Sequence, residues 1–364
     1  MDIIHFQSVT SSGRLASLDI LRGFDLFLLV FFQPVLVALG RQGDIPLLDP
    51  VLYQLDHCVW EGFRFWDLVM PLFLFMSGVA MPFSFAKYKD RTGKLTIYRQ
   101  IGKRFILLFI LGMVVQGNLL GFDFQHIYFY NNTLQAIASG YLIASLLLLH
   151  CNFRNQLIAV FLLLFIYWIP MTFAGNFSPD GNFANRLDAY VLGRFRGDPS
   201  YTWIWSSLTF GVTVMFGAFA GQLIKYGNEH RGRIAGWLLL IGVVLTGIGW
   251  LWSLQMPIIK RIWTCSMTLF SGGICFLLMS VFYYIIDCKG YSYGLNWLKI
   301  YGMNSIAAYI LGEAINFRSV AHSVFYGLEN HWGSYYSVWL SFVNFFMVFM
   351  ILRCLYKARI YLKI

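Results

Sequence analysis

Charged residues are scarce in this sequence. They make up 12% of the 364 residues, whereas 58% of the residues are hydrophobic, and soluble domains carry about 25% charge. Because so few charges cannot cover a water-facing surface, we expect an integral membrane protein. The net charge of +10 does not indicate nucleic-acid binding, since the basic residues lie between apolar segments rather than along one polar face.

Metal-binding cysteine patterns and internal repeats are also missing from the sequence. The six cysteines show no C-x-x-C or other metal-ligand spacing, so we expect no metal cofactor. Because no repeat or low-complexity tract divides the chain, we expect a single membrane domain over residues 1–364. We also expect no cleavable signal peptide, because the residues before Asp19 are polar and the first apolar run leads directly into further membrane sequence.

Apolar runs long enough to cross a bilayer follow one another along the chain. A span needs about 20 residues, and this length predicts an all-α polytopic bundle of about ten transmembrane helices. They lie near 19–40, 66–87, 101–121, 132–150, 157–173, 206–226, 235–253, 262–286, 298–316 and 335–356. In the span 206–226, Gly217 and Gly221 form a G-x-x-x-G pattern, which predicts close helix packing.

The distribution of lysine and arginine predicts the orientation of these spans. Basic residues collect in the 87–104 connection, after the sixth span and at the end of the chain. Cytoplasmic connections carry such an excess, so we expect both termini in the cytoplasm and the protein in the cytoplasmic (inner) membrane. The loops 41–65, 122–131, 174–205 and 317–334 then face outward, and the longest, 174–205, is a candidate cover for a site.

Ionisable residues inside spans are costly and commonly mark functional sites. Asp19 and Arg22 are three residues apart and can pair on one helix face; Arg22 is also suited to bind a phosphate of a cytoplasmic ligand. Asp67 directly precedes an apolar helix, so it can cap that helix and still orient a neighbouring histidine. Glu313 has no local partner, which favours a role in a site.

His57 lies in a short outer loop, close to the start of the second span. Imidazole titrates near neutral pH, which suits a general base, although a lone loop histidine is more often simply solvated. Trp60, in the same loop, has the alternative role of an interfacial anchor. For the polar span residues, the default expectation is helix–helix hydrogen bonding; they include Gln33, Gln135, Asn304 and Ser305.

Several blocks of the sequence resemble one family in order. "RLASLDILRGFDLFLLV" (14–30) resembles the opening of the heparan-α-glucosaminide N-acetyltransferase family, with Arg14, Ser17, Asp19, Arg22 and Gly23 at its R-x-x-S-x-D-x-x-R-G element. The stretch from His57 to Pro71 resembles its H-x-x-W-x-G-x-x-x-x-D-L-V-x-P block. The segments "TLQAIASGYL", "IWTCSMTLFSGG" and "YGMNSIAAYILGE" are similar to later blocks, so the resemblance covers nearly the whole chain.

The resemblance implies a polytopic acetyltransferase. Members take acetyl-CoA from the cytoplasmic side and deliver the acetyl group to a sugar amine on the other side. The family's catalytic histidine falls on His57, and a span-one asparagine near the acetyl group falls on Gln33, whose amide is one methylene longer. Asp67 would orient the imidazole, and Gln33 or Asn304 would donate to the developing oxyanion.

Further contacts follow from the same resemblance. The donor would contact Arg22, Asp19, Gln135, Asn304 and Ser305, and the acceptor would contact Trp60, Glu313 and Trp263. Two departures from the family concern the site: arginine is common after Leu134–Gln135 where this chain has Ala136, and a family histidine falls on Gly312.

Two alternatives share these features. One is a sugar transporter or permease, because intramembrane carboxylates also mark transport routes. The other is an O-acyltransferase that modifies envelope polysaccharide. The family also suggests a homodimer.

Overall fold

The computed structural model describes residues 15–42, 46–89, 94–227 and 230–362. The fold is all-α, as the sequence predicts: 76% of it is helical and the described residues form no strand. Within these described ranges, eight helical segments are long and apolar enough to cross a membrane. They are Ala16–Gly40, Phe65–Phe85, Thr133–His150, Phe153–Phe173, Ser207–Tyr226, Arg231–Trp252, Cys265–Cys288 and Phe317–Lys357.

Two predicted spans form helices that are not among these eight. The span at 101–121 corresponds to the helix Lys94–Val115, whose first half is rich in basic residues. The span at 298–316 forms two short helices, Asn296–Met303 and Ser305–Ala314, which meet at Asn304. The count of ten spans and the cytoplasmic position of both termini stay predictions. Arg14 and residues 90–93 of the basic connection lie outside the described residues.

Glycines hold the centre of the bundle together. The helix Val69–Lys89 packs against Ser207–Tyr226, and a Cβ atom at Gly217 would lie 1.9 Å from the carbonyl oxygen of Phe75. A Cβ at Gly221 would lie 2.4 Å from the carbonyl of Val79. The prediction of close packing at this G-x-x-x-G is therefore confirmed. The contact fixes the helix that begins directly after Asp67.

The helices Arg231–Trp252 and Cys265–Phe282 form the most extensive helix pair. The connection between them is a buried turn rather than a loose loop: Met256, Ile259 and Ile262 have no exposed surface. The hydroxyl of Thr264 caps the second helix by accepting from the N–H of Met267 at 3.3 Å. The turn brings Lys260 to the same end of the bundle as His57.

The expected outer loops contain helices of their own. The loop 174–205 includes Phe183–Leu192, which Asn182 caps by accepting from the N–H of Asn185 at 2.7 Å. The expected loop at 317–334 is mostly helical, with Phe317–Phe325 followed by the short Glu329–Trp332. The reason is local, because Asn316 accepts from the N–H of Ser319 at 3.1 Å and caps the first of these helices.

Candidate active site

His57 and Asp67 lie in direct contact. The His57 Nδ1 atom lies 2.9 Å from Asp67 Oδ1, and the side chains are 39% and 1% exposed. Because a carboxylate accepts hydrogen bonds, we assign the proton of the neutral imidazole to Nδ1. Nε2 then keeps a lone pair that can accept a proton. The arrangement is that of a general base held by a buried carboxylate.

Asp67 also helps to cap the 3-10 turn Phe65–Leu68, in which it lies and with which the span begins. Its Oδ2 atom accepts from the backbone N–H of Arg64 at 3.0 Å and of Cys58 at 3.2 Å. The sequence offered capping and orientation of the histidine as two interpretations, and the carboxylate serves both through its two oxygens. The loop that carries His57 is thereby fastened to the start of the span. Arg64 adds a second tie, because its Nη1 donates to the His57 carbonyl at 3.0 Å.

Lys260 is the third titratable group at this centre, and no pattern in the sequence predicted it. Its Nζ atom lies 3.0 Å from His57 Nδ1, 3.4 Å from His57 Nε2 and 3.4 Å from Asp67 Oδ1. Burial lowers the pKa of Lys260 to about 8, although the Asp67 carboxylate acts in the opposite direction. The contact with the Asp67 carboxylate favours the protonated form of the amine. No local pattern marks a lysine 203 residues away from His57.

A cavity of about 370 Å³ opens beside these residues. His57 and Lys260 lie on its wall together with Glu313, Asp198 and Tyr201. The apolar part of its wall comes from Leu29, Trp66, Val69, Met70, Phe73 and Trp203. The volume falls within the range of about 300–1,000 Å³ for small-molecule sites. The cavity thus combines a proton acceptor, charged groups and an apolar surface.

The loop 174–205 forms one side of the cavity, as expected for a cover. Asp188 ties two parts of this loop together, because its carboxylate accepts from the N–H groups of Trp203 and Ile204 at 2.6 and 3.1 Å. Burial raises the pKa of Asp188 to about 6, although these two hydrogen bonds lower it. Arg261 adds a contact by donating to the Ser200 hydroxyl at 2.6 Å. These contacts therefore hold the loop in a defined conformation beside the cavity.

Comparisons with known proteins agree with the motif pattern. The chain is 22% identical to heparan-alpha-glucosaminide N-acetyltransferase of Mus musculus over 84% of its length, and 22% identical to that of Homo sapiens over 82%. The predicted resemblance to this acetyltransferase is confirmed, at a distance. The chain spans about half the length of these relatives, 54% and 52%. The family named Domain of unknown function (DUF5009) matches residues 14–119, which include His57 and Asp67.

The residues expected to contact the donor are spread through the bundle. Arg22 Nη1 lies 3.9 Å from Asp19 Oδ1, which confirms the expected pair, and Arg22 Nη2 donates to the Met76 carbonyl at 3.1 Å. Gln135 is buried and accepts from the N–H of Asn131 at 2.8 Å. Its contact therefore orders the chain at the cavity wall, where Asn131 lies. A direct contact of these residues with a donor stays a prediction.

Gln33, Asn304 and Ser305 do not line the cavity. Gln33 Nε2 donates to the Leu55 carbonyl at 3.0 Å, two residues before His57, so it holds the loop. Asn304 Nδ2 donates to the Ile360 carbonyl at 3.1 Å and its Oδ1 accepts from the N–H of Leu362 at 3.0 Å. Both amides are committed to the backbone. Their expected role as oxyanion donors stays a prediction that these contacts do not favour.

The residues expected to contact the acceptor divide into three cases. Glu313 lies on the cavity wall. Trp60 donates from Nε1 to the Phe177 carbonyl at 2.8 Å and so ties the His57 loop to the 174–205 loop. Trp263 is 2% exposed, donates to Thr213 Oγ1 at 3.2 Å and packs edge-on against Phe210. Trp263 is a core residue, and Tyr201 and Trp203 provide aromatic surface at the cavity instead.

Proposed function

We propose that this protein is a membrane acetyltransferase that moves an acetyl group from cytoplasmic acetyl-CoA to an amino sugar or glycan on the extracytoplasmic side. The observation that carries the proposal is the 2.9 Å contact between His57 and the buried Asp67 at a cavity wall. The acetyltransferase named among the relatives supports the choice of reaction and of donor.

His57 acts as the general base in this scheme. Its Nε2 atom takes the proton of the acceptor amine as the amine nitrogen attacks the thioester carbonyl. The new C–N bond forms, the C–S bond breaks, and the His57 imidazolium gives the proton that it has taken to the leaving thiolate. Asp67 holds the proton on Nδ1 so that Nε2 points its lone pair at the acceptor. A positioned base contributes about 10²–10⁴ in rate, and a transient acetyl group on His57 would use the same atom.

The cavity suits the two reacting ends. Its apolar wall, with Val69, Met70 and Phe73, would surround the acetyl group and the end of the pantetheine arm. Its carboxylates, Asp198 and Glu313, would accept hydrogen bonds from the amino group and so orient it. Arg22 stays the proposed contact for a phosphate of the donor nearer the cytoplasmic side, because a guanidinium binds phosphate well.

The experiment that tests this proposal measures both products. Detergent-purified protein is incubated with acetyl-CoA and glucosamine, and free thiol is measured together with acetylated sugar by mass spectrometry. We expect both products in equal amounts. Thiol release without an acetylated sugar, or neither product with any amino sugar tried, would overturn the proposal.

The same protein in liposomes tests the transporter alternative. A permease should accumulate labelled glucosamine in the absence of acetyl-CoA, whereas the acetyltransferase should not. Replacing the amino sugar by a polysaccharide with free hydroxyl groups tests the O-acyltransferase alternative. Acetylation of hydroxyl groups alone would assign the protein to that class.

A further inference from the structure

Lys260 is a buried cation that lies beside both His57 and Asp67. The residue is 8% exposed, and its Nζ atom lies within 3.4 Å of both Asp67 Oδ1 and the two ring nitrogens of His57. Lysine is almost never buried to this extent without a partner. The partner here is Asp67, the same carboxylate that holds the imidazole.

The backbone around Lys260 is fixed by three neighbouring segments. The N–H of Gly62, in the His57 loop, donates to the Ile258 carbonyl at 2.8 Å. The N–H of Thr202 donates to the Arg261 carbonyl at 3.0 Å, and the Ser206 hydroxyl donates to the Ile262 carbonyl at 3.0 Å. The backbone around Lys260 is therefore fixed beside the His57–Asp67 pair, and the contact with Asp67 holds the ammonium group there.

The charges of the three groups depend on one another. Ionised Asp67 and protonated Lys260 together are neutral, so His57 can stand beside them without a charge. If Lys260 were absent, a buried carboxylate 2.9 Å from the imidazole would favour the imidazolium, because a nearby opposite charge favours the charged form. An imidazolium has no lone pair on Nε2 and cannot accept a proton.

We infer that Lys260 is a positioning residue that acts as the resident counter-ion of Asp67 and keeps His57 in its neutral, proton-accepting form. The inference rests on the proposed function for its purpose, since a neutral imidazole is what a general base requires. The effect of Lys260 and Asp67 on the protonation of His57 depends only on these three side chains. It can be measured without acetyl transfer.

Other charged groups near His57 belong to four segments. Asp56 and Arg64 lie in its own loop, 3.4 Å from one another, and Glu61 lies in the same loop. Arg261 follows Lys260, Asp198 belongs to the outer loop, and Glu313 lies across the cavity. Asp67 and Lys260 are the two that contact the imidazole directly. A substitution at Lys260 leaves all the others in place.

The test measures the neutral fraction of His57 directly. Diethyl pyrocarbonate reacts with neutral imidazole, and His57 is accessible to it because its side chain is 39% exposed. Labelling rates at His57 are measured by peptide mass spectrometry between about pH 5 and 9 in the full-length wild type, Lys260→Met and Lys260→Arg. His126, an exposed histidine paired with Asp123 at 2.6 Å, is the internal control in every sample.

In Lys260→Met, the midpoint of the His57 labelling profile should move to higher pH by about 1–3 units, the effect of one charge within about 4–6 Å. Lys260→Arg keeps the cation and should keep the wild-type midpoint. The His126 midpoint should be the same in all three proteins, which shows that the displacement is confined to the surroundings of His57. Lys289→Met, the same change at an exposed position, should change neither midpoint.

A Lys260→Met midpoint equal to or below the wild-type value would overturn the inference. A displacement of the His57 midpoint in Lys260→Arg as large as in Lys260→Met would also overturn it. The acetyl-transfer assay on the same proteins separates the two proposals. If the wild type forms no acetylated sugar while the midpoint moves as stated, the proposed function fails and the counter-ion role stands. If the wild type forms acetylated sugar and the His57 midpoint does not move in Lys260→Met, the proposed function stands and the counter-ion role of Lys260 fails.

Discussion

The indole Nε1 of Trp60 donates a 2.8 Å hydrogen bond to the backbone carbonyl of Phe177. The two residues belong to loops that are far apart in sequence, and this hydrogen bond connects the two loops in space. On one side lies the loop that carries His57. On the other lies the loop 174–205, which places Asp198 and Tyr201 on the cavity wall. The loop 174–205 is thus joined to the loop that carries His57.

Trp60→Phe should loosen the loop 174–205 without unfolding the protein. A hydrogen bond contributes about 0.5–1.5 kcal/mol net, so the loop should open about 2–10 times more often. Limited trypsin cleavage after the exposed Arg194 should speed up by the same factor. Trp250→Phe, at an indole that is 61% exposed on another helix, should leave the cleavage rate unchanged. Equal rates in all three proteins would refute the closing role of Trp60.

Asp188 should make stability depend on pH. Its carboxyl has a pKa of about 6 in the fold because burial raises it, against about 3.9 in an unfolded chain. Between these values the folded protein binds the extra proton, so this group adds stability as the pH falls from about 7 to about 4.

The comparison with Asp188→Asn isolates this contribution. The amide does not titrate, and it can accept from only one of the Trp203 and Ile204 N–H groups. The Tm of the wild type should exceed that of the variant by a larger margin at pH 5 than at pH 7.5, as measured by thermal unfolding in detergent. A margin that shrinks as the pH falls would contradict the assignment.

Gly217→Ala should destabilise the bundle. The new methyl would lie 1.9 Å from the Phe75 carbonyl oxygen, so the helices must separate, and overpacking of this kind costs about 1–3 kcal/mol. Gly236→Ala is the matched control, because a Cβ there meets nothing within 4 Å. We expect a lower Tm for the first variant alone. If both variants melt together, the close approach at Gly217 does not stabilise the fold.

Asp25 should tolerate a neutral substitute. It has no exposed surface, and neither of its carboxylate oxygens has a hydrogen-bond partner within the described part of the chain. Because a buried unpaired carboxylate is costly, Asp25→Asn should keep or raise the Tm. Asp67→Asn, which disturbs contacts to His57, Lys260 and Arg64, should lower it. A Tm loss in Asp25→Asn as large as in Asp67→Asn would refute this account of Asp25.

Local signals were sufficient for most of the helices. Apolar runs predicted the span 335–356, observed as Tyr336–Lys357, and a span at 157–173, observed as Phe153–Phe173. The break at Asn304 could not be read in the same way, because it depends on contacts with Ile360 and Leu362. A run of hydropathy carries no information about such distant partners.

The same distinction separates the predicted from the missed site residues. His57 and Asp67 are ten positions apart at the start of one span, so their contact follows from local geometry and from the family pattern. Lys260 approaches them only through the packing of distant helices. Gln33 and Asn304 were expected at the reacting carbonyl because amides suit that role, but their backbone contacts arise from tertiary structure that composition cannot reveal.

In the proposed reaction, His57 accepts the proton of the acceptor amine. The most direct measurement is the kcat of acetyl transfer for His57→Gln, with His126→Gln as the control that removes a histidine from the exposed His126–Asp123 pair. We expect kcat to fall by about 10²–10⁴ in His57→Gln, with the KM for acetyl-CoA nearly unchanged and the control at wild-type activity. A His57→Gln protein that transfers acetyl groups at the wild-type rate would contradict the account.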